Sequence, residues 1–389
     1  MLIGIIGAPN KGKSTLFSAL TLNDVTIADY PFTTIDPNKG VAYATRECVE
    51  RELNVKCNAR NSLCVNGTRM LPINVVDVAG LVEGAHEGRG MGNQFLNDLS
   101  AADCFIIVVD ASGKTDKEGN RCESCNPVED VNMVKGELAE WIASIVKKHM
   151  SLLERRRDGI DALHELFTSF KITREQVEKA INDNMLISEN IRWSEEETRK
   201  FSTSLLEASK PMVIAANKCD VEGAEKNIAK LKAEFGEANV IGCSAAIELA
   251  LKKAARSGAI DYVPGSRSFN IIGNVNDEQR RALEYMLEFV KKSGTNVQQL
   301  INYAAFGLLD NIVVYPVEDE NKYTDHFGNV LPDALLVRRG TTAIEFAEMI
   351  HTDLAKGMLY AVDAKKKIRI PKDYALKDND VIRIVSAKH

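Results

Sequence analysis

An α/β fold with a helical insertion and a small mixed domain at its C-terminal end is what this sequence predicts, and three observations carry the reading. Short, largely apolar runs recur at Leu2–Ile6, Ile73–Val76, Cys104–Asp110, Pro211–Ala216 and Val240–Cys243, the pattern of strands buried on both faces of a parallel sheet. From Val128 to about Leu206 the apolar residues instead recur at helical steps. Beyond Asn311, strand-like runs and turns flank one amphipathic helix, Ala343 to Leu354, in the order ββαββ of a ubiquitin-like β-grasp.

The first strand, Leu2–Ile6, runs into Gly7-Ala8-Pro9-Asn10-Lys11-Gly12-Lys13-Ser14, which fits G-x-x-x-x-G-K-S/T, and helical periodicity follows with Leu16, Phe17 and Leu20. Gly7 and Gly12 let the backbone curl so that its N–H groups point inward at phosphate oxygens. Pro9, Asn10, Lys11, Gly12, Lys13, Ser14 and Thr15 are therefore the candidate phosphate-binding residues. Lys13 would set a charge near the β- and γ-phosphates, the Ser14 hydroxyl can ligate Mg²⁺, and the helix adds the positive end of its dipole.

Val25 to Gly40 is loop-like, with paired threonines at Thr33 and Thr34, and an extended region continues to Pro72. The strand Ile73–Val76 then ends in Asp77-Val78-Ala79-Gly80. Placed downstream of a phosphate loop, Asp77 can hold the water shell of Mg²⁺ and the Gly80 N–H can meet the γ-phosphate. Leu81 to Asn93 carries four glycines, Gly84, Gly88, Gly90 and Gly92, and reads as a switch ordered by the bound nucleotide. Leu81 cannot orient a nucleophilic water. His86 and Arg89 are the nearby candidates for that work, and a loop histidine without catalytic duty is the competing reading of His86.

The apolar run Cys104–Val109, closed by Asp110, precedes a polar segment holding Cys122 and Cys125. One C-x-x-C invites a metal reading with Cys57 and Cys64 as further ligands. Their spacing is not that of a second zinc knuckle and no ligand histidine is near, so loop thiols are expected. In the helical stretch, Val131, Val134, Leu138, Ile142, Ile145 and Leu152 define one long helix, followed by shorter pieces. Glu154-Arg155-Arg156-Arg157-Asp158 is either a solvated helix end or a contact for RNA phosphates, the former expected.

The run Pro211–Ala216 leads into Asn217-Lys218-Cys219-Asp220. A carboxylate only accepts hydrogen bonds, so Asp220 suits guanine's N1–H and 2-amino donors and would repel adenine's N1 lone pair. Asn217 would tie this loop to the phosphate loop, and the Lys218 stem can lie over the ring. Ser244-Ala245-Ala246, after Val240–Cys243, could offer a backbone N–H to guanine O6. Farther on, helices are expected from Asp277 to Lys292 and from Asn296 to Leu309.

Taken together, GAPNKGKST, YPFTT, DVAGLVEGA, NKCD and SAA resemble the five sequence boxes of translation-factor-class GTPases in the Obg/YchF branch, and ADYPFTTIDPNKG and GLVEGAHEGRGMGNQFL are the branch-specific pieces. The resemblance implies a P-loop NTPase fold with a Ras-like G domain, hydrolysis of GTP to GDP and phosphate, and Mg²⁺ held by Ser14, Thr34 (or Thr33) and Asp77. Lys13, Gly80 and His86 are the candidate catalytic residues, His86 by proximity alone, and the resemblance implies that Leu81 stands where Ras-type enzymes carry glutamine. An Asn at the position of Asn10 accompanies potassium activation in related proteins, so K⁺ is a second implied ion. The YchF group proper has a degraded base-reading box and prefers ATP, whereas this chain keeps Asn217, Lys218 and Asp220 and is expected to use GTP. The chain is similar to the archaeal YchF-related type. Its tail, through LLVRRGTTAIEFAEMIHTDLAKGMLYAV and DYALKDNDVIRIVS, resembles a TGS domain, which implies an RNA- or protein-contacting module. Lys365-Lys366-Lys367 and Arg369 form a basic cluster that suits either RNA or a solvated hairpin turn.

The whole-chain properties bound these expectations. At 389 residues with 45% hydrophobic and 27% charged content, the chain has room for two or three domains. The expected division is 1–127 and 208–305 for the G domain and its connector, 128–207 for the insertion and 306–389 for the TGS domain. A net charge of -6 excludes a global basic field for nucleic acid. No run reaches membrane-span length and no signal peptide begins the chain, so a cytoplasmic monomer with reduced thiols is expected. The expected partners are GTP and GDP, then the ribosome or RNA. A low-turnover nucleotide sensor and an ATP-using relative are the alternatives. A small-molecule kinase is disfavoured, because nothing resembles an acceptor pocket.

Overall fold

The apolar strands read from the sequence assemble into a seven-stranded sheet in a computed structural model that describes residues 1–22, 38–60, 62–78, 81, 84 and 98–387. The calls on Thr33, Thr34, Gly80, His86 and Arg89 lie outside the described residues. The strands are β1 (Leu2–Ile6), β2 (Lys39–Glu47), β3 (Leu63–Val65), β4 (Thr68–Asp77), β5 (Cys104–Asp110), β6 (Met212–Asn217) and β7 (Val240–Gly242), in spatial order β2-β4-β1-β5-β6-β7 with β3 on β4. The pairs β1–β4, β1–β5, β5–β6 and β6–β7 are parallel. Every residue of β5 is buried, as expected of a central strand covered by helices on both faces. The strand expected at Ile73–Val76 begins earlier, at Thr68, and runs through Pro72. Proline is tolerated there because Pro72 falls between the β3 register, which ends at Met70, and the β1 register, which starts at Asn74.

The described residues divide into two compact units. The first comprises 1–22, 38–41 and 74–300. Its insertion between β5 and β6 is four helices, Pro127–Leu153, Gly159–Phe167, Arg174–Asp183 and Glu195–Ser209. The 27-residue helix starts cleanly because the Asn126 side chain accepts from the Val128 N–H and Pro127 occupies the first turn, where its missing N–H costs nothing. Thr173 with Gln176, and Ser194 with Glu197, cap the last two helices reciprocally. Val131, Val134, Leu138, Ile142 and Val146 are buried in the same core as Val109 and Ile214, so the insertion packs onto the sheet. Each such side chain contributes about 1.5–3 kcal/mol by leaving water. The charged run after this helix is a solvated end, with Arg156 paired to Asp158 and Glu165.

Beyond β7 come the helix Ala245–Arg256, the short pair β8 (Ile260–Asp261) and β9 (Asn270–Ile271), and the helix Asp277–Ser293. The single helix expected from Asn296 to Leu309 is instead Val297–Asn302, followed by a wider π turn over Tyr303–Leu308.

The second unit comprises 42–73 and 301–387, so 42–73 packs with the C-terminal part of the chain. The reason is apolar: Cys48, Val49 and Leu71 share a core with Val313, Tyr315, Leu331 and Val381. The C-terminal sheet joins β10 (Asn311–Pro316), β11 (Leu335–Arg338), β12 (Met358–Asp363), β13 (Ile368–Ile370) and β14 (Asp380–Ser386) in the order β11-β10-β14-β12-β13. Its helix buries Ala343, Phe346 and Ala347 against Ile312, Val337 and Ile382. The helix expected to reach Leu354 stops at Ile350, because His351 is extended and its Nδ1 accepts from the Asp353 N–H at 3.1 Å, starting a second short helix, Thr352–Gly357.

The basic cluster is the turn between β12 and β13, and its charges are largely committed. Lys365 pairs with Glu52 and Lys366 with Asp363, both at 2.7 Å. Lys367 binds the Glu320 carbonyl oxygen and lies over the Tyr323 ring, and Arg369 lies over Tyr360. Of the two readings, the hairpin turn is the one this geometry favours.

Candidate nucleotide-binding site

Between β1 and the helix Lys13–Thr21 the chain makes the turn that the two glycines permit. Gly7 has φ 147°, and a Cβ there would sit 2.4 Å from the Val108 carbonyl oxygen. Gly12 has φ 92°, a left-handed conformation that side chains resist. Lys13 is buried, its Nζ donating to the Ala8 carbonyl at 3.0 Å, and burial lowers its pKa below the ordinary lysine value. That ammonium is held across the loop, poised for an anion to replace lost solvation.

Ser14 and Asp77 meet although 63 residues separate them, the Ser14 hydroxyl donating to Asp77 Oδ2 at 2.8 Å. Strand order explains the meeting, since β1 and β4 are parallel neighbours that end at the same edge. Burial pushes the Asp77 carboxyl above its ordinary range, against the opposing Ser14 hydrogen bond and Lys13 charge. Its Oδ1 is buried with no hydrogen-bond partner among the described residues. A hydroxyl beside a carboxylate with an unsatisfied oxygen is a hard-oxygen donor set that fits Mg²⁺. Leu81 is 1% exposed and packs in the core with Val78 and Leu99, its N–H donating to the Gly7 carbonyl. It points away from any place where a water could be oriented.

The second half of the site is the loop after β6. The Asn217 side chain bridges three segments, its Nδ2 donating to the Lys11 carbonyl at 3.0 Å and its Oδ1 accepting from the Ala245 N–H at 3.1 Å. Lys218 takes φ 63° and its Nζ pairs with Asp110 at 2.8 Å. Asp220 Oδ1 is buried without a hydrogen-bond partner among the described residues. Such an oxygen costs about 1–3 kcal/mol unless a donor reaches it, and guanine supplies donors of the right kind. Of the three candidates for guanine O6, Ser244 already gives its N–H to the Thr295 carbonyl and Ala245 gives its own to Asn217. Ala246, exposed at the start of its helix, is the residue the geometry favours.

The Lys11 side chain is committed within the protein: it is 0% exposed, pairs with Asp130 of the long insertion helix at 2.8 Å, and donates to the Thr115 carbonyl and hydroxyl. Only its backbone is left for a ligand. Asn10, at φ 60°, gives its amide to the Gly119 carbonyl.

Asp110, Thr115 and Asp130 were not among the sequence candidates. The Thr115 hydroxyl donates to Asp110 at 2.8 Å, so Lys218, Asp110, Thr115, Lys11 and Asp130 form one continuous chain of polar contacts, with Asp110, Lys11 and Asp130 buried. Burial would raise Asp110, but hydrogen bonds from Lys218, Ser112 and Thr115 hold it below the ordinary range. The sequence signal was slight: Asp110 closes a strand as Asp77 does. Cys122 and Cys125, expected as loop thiols, lie side by side in their turn with Cα atoms 6.1 Å apart, within reach of a disulfide.

Three segments of the chain match known protein families. Residues 2–151 match the family described as 50S ribosome-binding GTPase, 215–319 the G4 motif-containing domain of Obg-like GTPases of YGR210 type, and 327–386 the TGS domain. An uncharacterized GTP-binding protein of Methanocaldococcus jannaschii, MJ1332, is 53% identical over 99% of both chains. The ribosome-binding ATPase YchF of Bacillus subtilis is 27% identical over 97% of both. The crystal structure of a GTP-binding protein from Pyrococcus horikoshii superposes with a TM-score of 0.80 at 36% identity, covering all of both chains. Among the described residues, no helix is long and apolar enough to cross a membrane.

Proposed function

Because this chain belongs to the Obg-like, YchF-related family of GTP-binding proteins, we propose that it binds GTP with Mg²⁺ and hydrolyses it to GDP and phosphate as a molecular switch, with the ribosome or its RNA as partner. The observation that carries the choice of GTP is the buried, unpartnered Asp220 oxygen, in a loop that Asn217 locks to the phosphate loop. ATP use is the second reading, since relatives such as YchF are named ATPases. An acceptor-only carboxylate facing adenine N1 argues against it.

Ser14 and Asp77 would hold Mg²⁺, with Thr34 as a further ligand, and the ion would neutralise charge building on the phosphate oxygens. The phosphate-loop N–H groups and Lys13 would stabilise the same charge, and the Gly80 N–H would meet the γ-phosphate. Leu81, turned into the core, supplies no water-orienting group. His86, or K⁺ near Asn10, would complete the site, and a partner would complete it further. The ribosome is supported by the family description that residues 2–151 match and by the name of the B. subtilis relative.

Two measurements test this. Asp220→Asn should weaken GTP binding by roughly 10–100-fold and admit xanthosine triphosphate, the losses expected when a buried hydrogen-bonding pair is mismatched. Unchanged GTP affinity would remove the base-reading assignment. GTP turnover in potassium buffer should rise when ribosomes from the source organism are added. Turnover that stays slow under both conditions would favour a low-turnover nucleotide sensor, which the buried Leu81 also suits.

A further inference from the structure

The second unit holds a cluster of sulfur ligands remote in kind from nucleotide chemistry. Cys48 follows β2, Glu50 opens the short helix Glu50–Leu53, Cys57 lies in the next loop and Cys64 sits in β3. One ligand atom from each lies within 4.8 Å of all the others. We propose that Cys48, Cys57, Cys64 and Glu50 form a tetrahedral site for a single Zn²⁺ ion that staples this excursion of the chain.

The geometry is close to what zinc needs. Zn–S bonds of about 2.3 Å and Zn–O bonds of about 2.0–2.2 Å at tetrahedral angles give ligand-to-ligand edges of about 3.5–3.8 Å. The four groups therefore need only a small inward movement to close on an ion. All three cysteines are free of disulfides, and an odd number of clustered thiols cannot be satisfied by internal pairing. The chain path prepares the site: the Cys57 N–H donates to Glu50 Oε2 at 2.8 Å, and Cys48 gives its N–H to the Gly67 carbonyl at the hairpin turn.

Charge supplies the independent argument. Arg69, directly opposite Cys64 in the β3–β4 register, is 0% exposed. Its Nη1 donates to Cys57 Sγ at 2.8 Å, its Nη2 to the Leu331 carbonyl at 2.7 Å, and its guanidinium lies 5.5 Å from the Tyr315 ring centroid. Its Nε has no partner. A cation is thus buried beside sulfur atoms, with the Glu50 carboxylate in the same cluster. Three bare thiolates added to that carboxylate would repel one another, and a divalent cation is what would let them ionise together. With Zn²⁺ bound, three thiolates and a carboxylate carry a net charge of −2, and the Arg69 guanidinium offsets half of it. An N–H···S bond from such a neighbour orients and tunes the ligand.

The site would fix a loop that already pairs with the C-terminal part of the same unit. Asn58 and Arg60 give their N–H groups to the carbonyls of Val330 and Pro332, and Cys57 Sγ lies 3.8 Å from the Leu331 carbonyl oxygen. Zinc here is structural, with all four positions taken by protein and none open for a substrate.

The test uses the full-length protein produced with zinc in the medium. Elemental analysis after exhaustive dialysis should find one zinc per chain, and replacement by Co²⁺ should give the thiolate-to-cobalt charge-transfer band with the intense visible bands of tetrahedral cobalt. Cys57→Ser and Cys64→Ser should each lose stoichiometric zinc, and Glu50→Gln should bind it roughly 10–100-fold more weakly. In the unaltered protein, a thiol reagent should count three more reactive cysteines after a strong chelator than before, a readout that needs no variant to fold. No stoichiometric zinc and no tetrahedral cobalt spectrum would overturn the proposal. So would a cobalt spectrum that survives unchanged in the Cys57→Ser/Cys64→Ser double variant, because the metal would then be held elsewhere.

Discussion

Removing the Lys11 charge tests whether the phosphate loop is anchored from behind. Lys11→Met keeps the length of the side chain and deletes its ammonium, leaving Asp130, whose side chain is 4% exposed, without the partner it meets at 2.8 Å. Breaking a buried pair on one side costs about 3–5 kcal/mol. Burial already pushes the Asp130 carboxyl above its ordinary range, so in the variant it can take a proton instead of keeping a buried charge, which places the expected cost at about 3 kcal/mol. The sign with pH follows. A carboxyl raised in the folded state destabilises above its unfolded pKa, so the deficit of Lys11→Met should shrink as the pH falls toward about 4. Lys11→Met combined with Asp130→Leu removes both charges and should return to within about 1 kcal/mol of the parent, because an apolar pair can replace a buried ion pair. Urea unfolding followed by tryptophan fluorescence is suited to this unit, since Trp141 and Trp193 both pack against its core. A single-variant cost below about 1 kcal/mol, with the two substitutions simply additive, would refute the anchoring argument.

Two further predictions concern the same unit. Lys210 is 5% exposed, and burial lowers its pKa from 10.5 to about 8, with its Nζ donating to the Ala102 and Ser100 carbonyls. A lysine whose folded pKa is depressed costs stability below that pKa, about 3 kcal/mol here, and the cost disappears as the pH rises from about 8 toward 10.5. The Tm of the parent relative to Lys210→Met should therefore rise between pH 7 and 10, and a difference that does not change with pH would contradict it. Gly12→Ala would place a Cβ 2.3 Å from Asn217 Nδ2 at φ 92°. Asn217 cannot yield, being held at both ends of its amide, so the substitution should cost about 1–3 kcal/mol and weaken guanine-nucleotide binding. Calorimetric titration that finds parental GDP affinity would show that the two loops are not so coupled.

The parts of this molecule that could be read from the chain are those where chemistry demands a residue type at a fixed spacing. Gly7, Gly12 and Lys13 announce a phosphate loop because few other sequences can curl a backbone after a buried strand. Asp220 is legible for the same reason, as an acceptor-only group at a strand's end. What could not be read is where long side chains go. Lys11 sits in the middle of the phosphate motif, and no local pattern reveals that it turns toward Asp130, far along the chain in the insertion helix. Likewise Cys48, Cys57 and Cys64 fit no metal-ligand spacing, because their meeting depends on a hairpin and a loop that fold over the C-terminal part of their unit. Pro72 looked like a strand boundary, and only the register of its neighbours shows why a strand can pass through it.

The contact between Lys11 and Asp130 also has a mechanical meaning. Asp130 lies in the first turn of a 27-residue helix, which at 1.5 Å per residue is about 40 Å long. A rigid rod pivoting at that end amplifies whatever happens at its base: a tilt of about 5° sweeps its far tip through roughly 3.5 Å. The phosphate loop thus grips the short arm of a lever, and an adjustment too small to notice around a γ-phosphate becomes a displacement of atomic size at the opposite end.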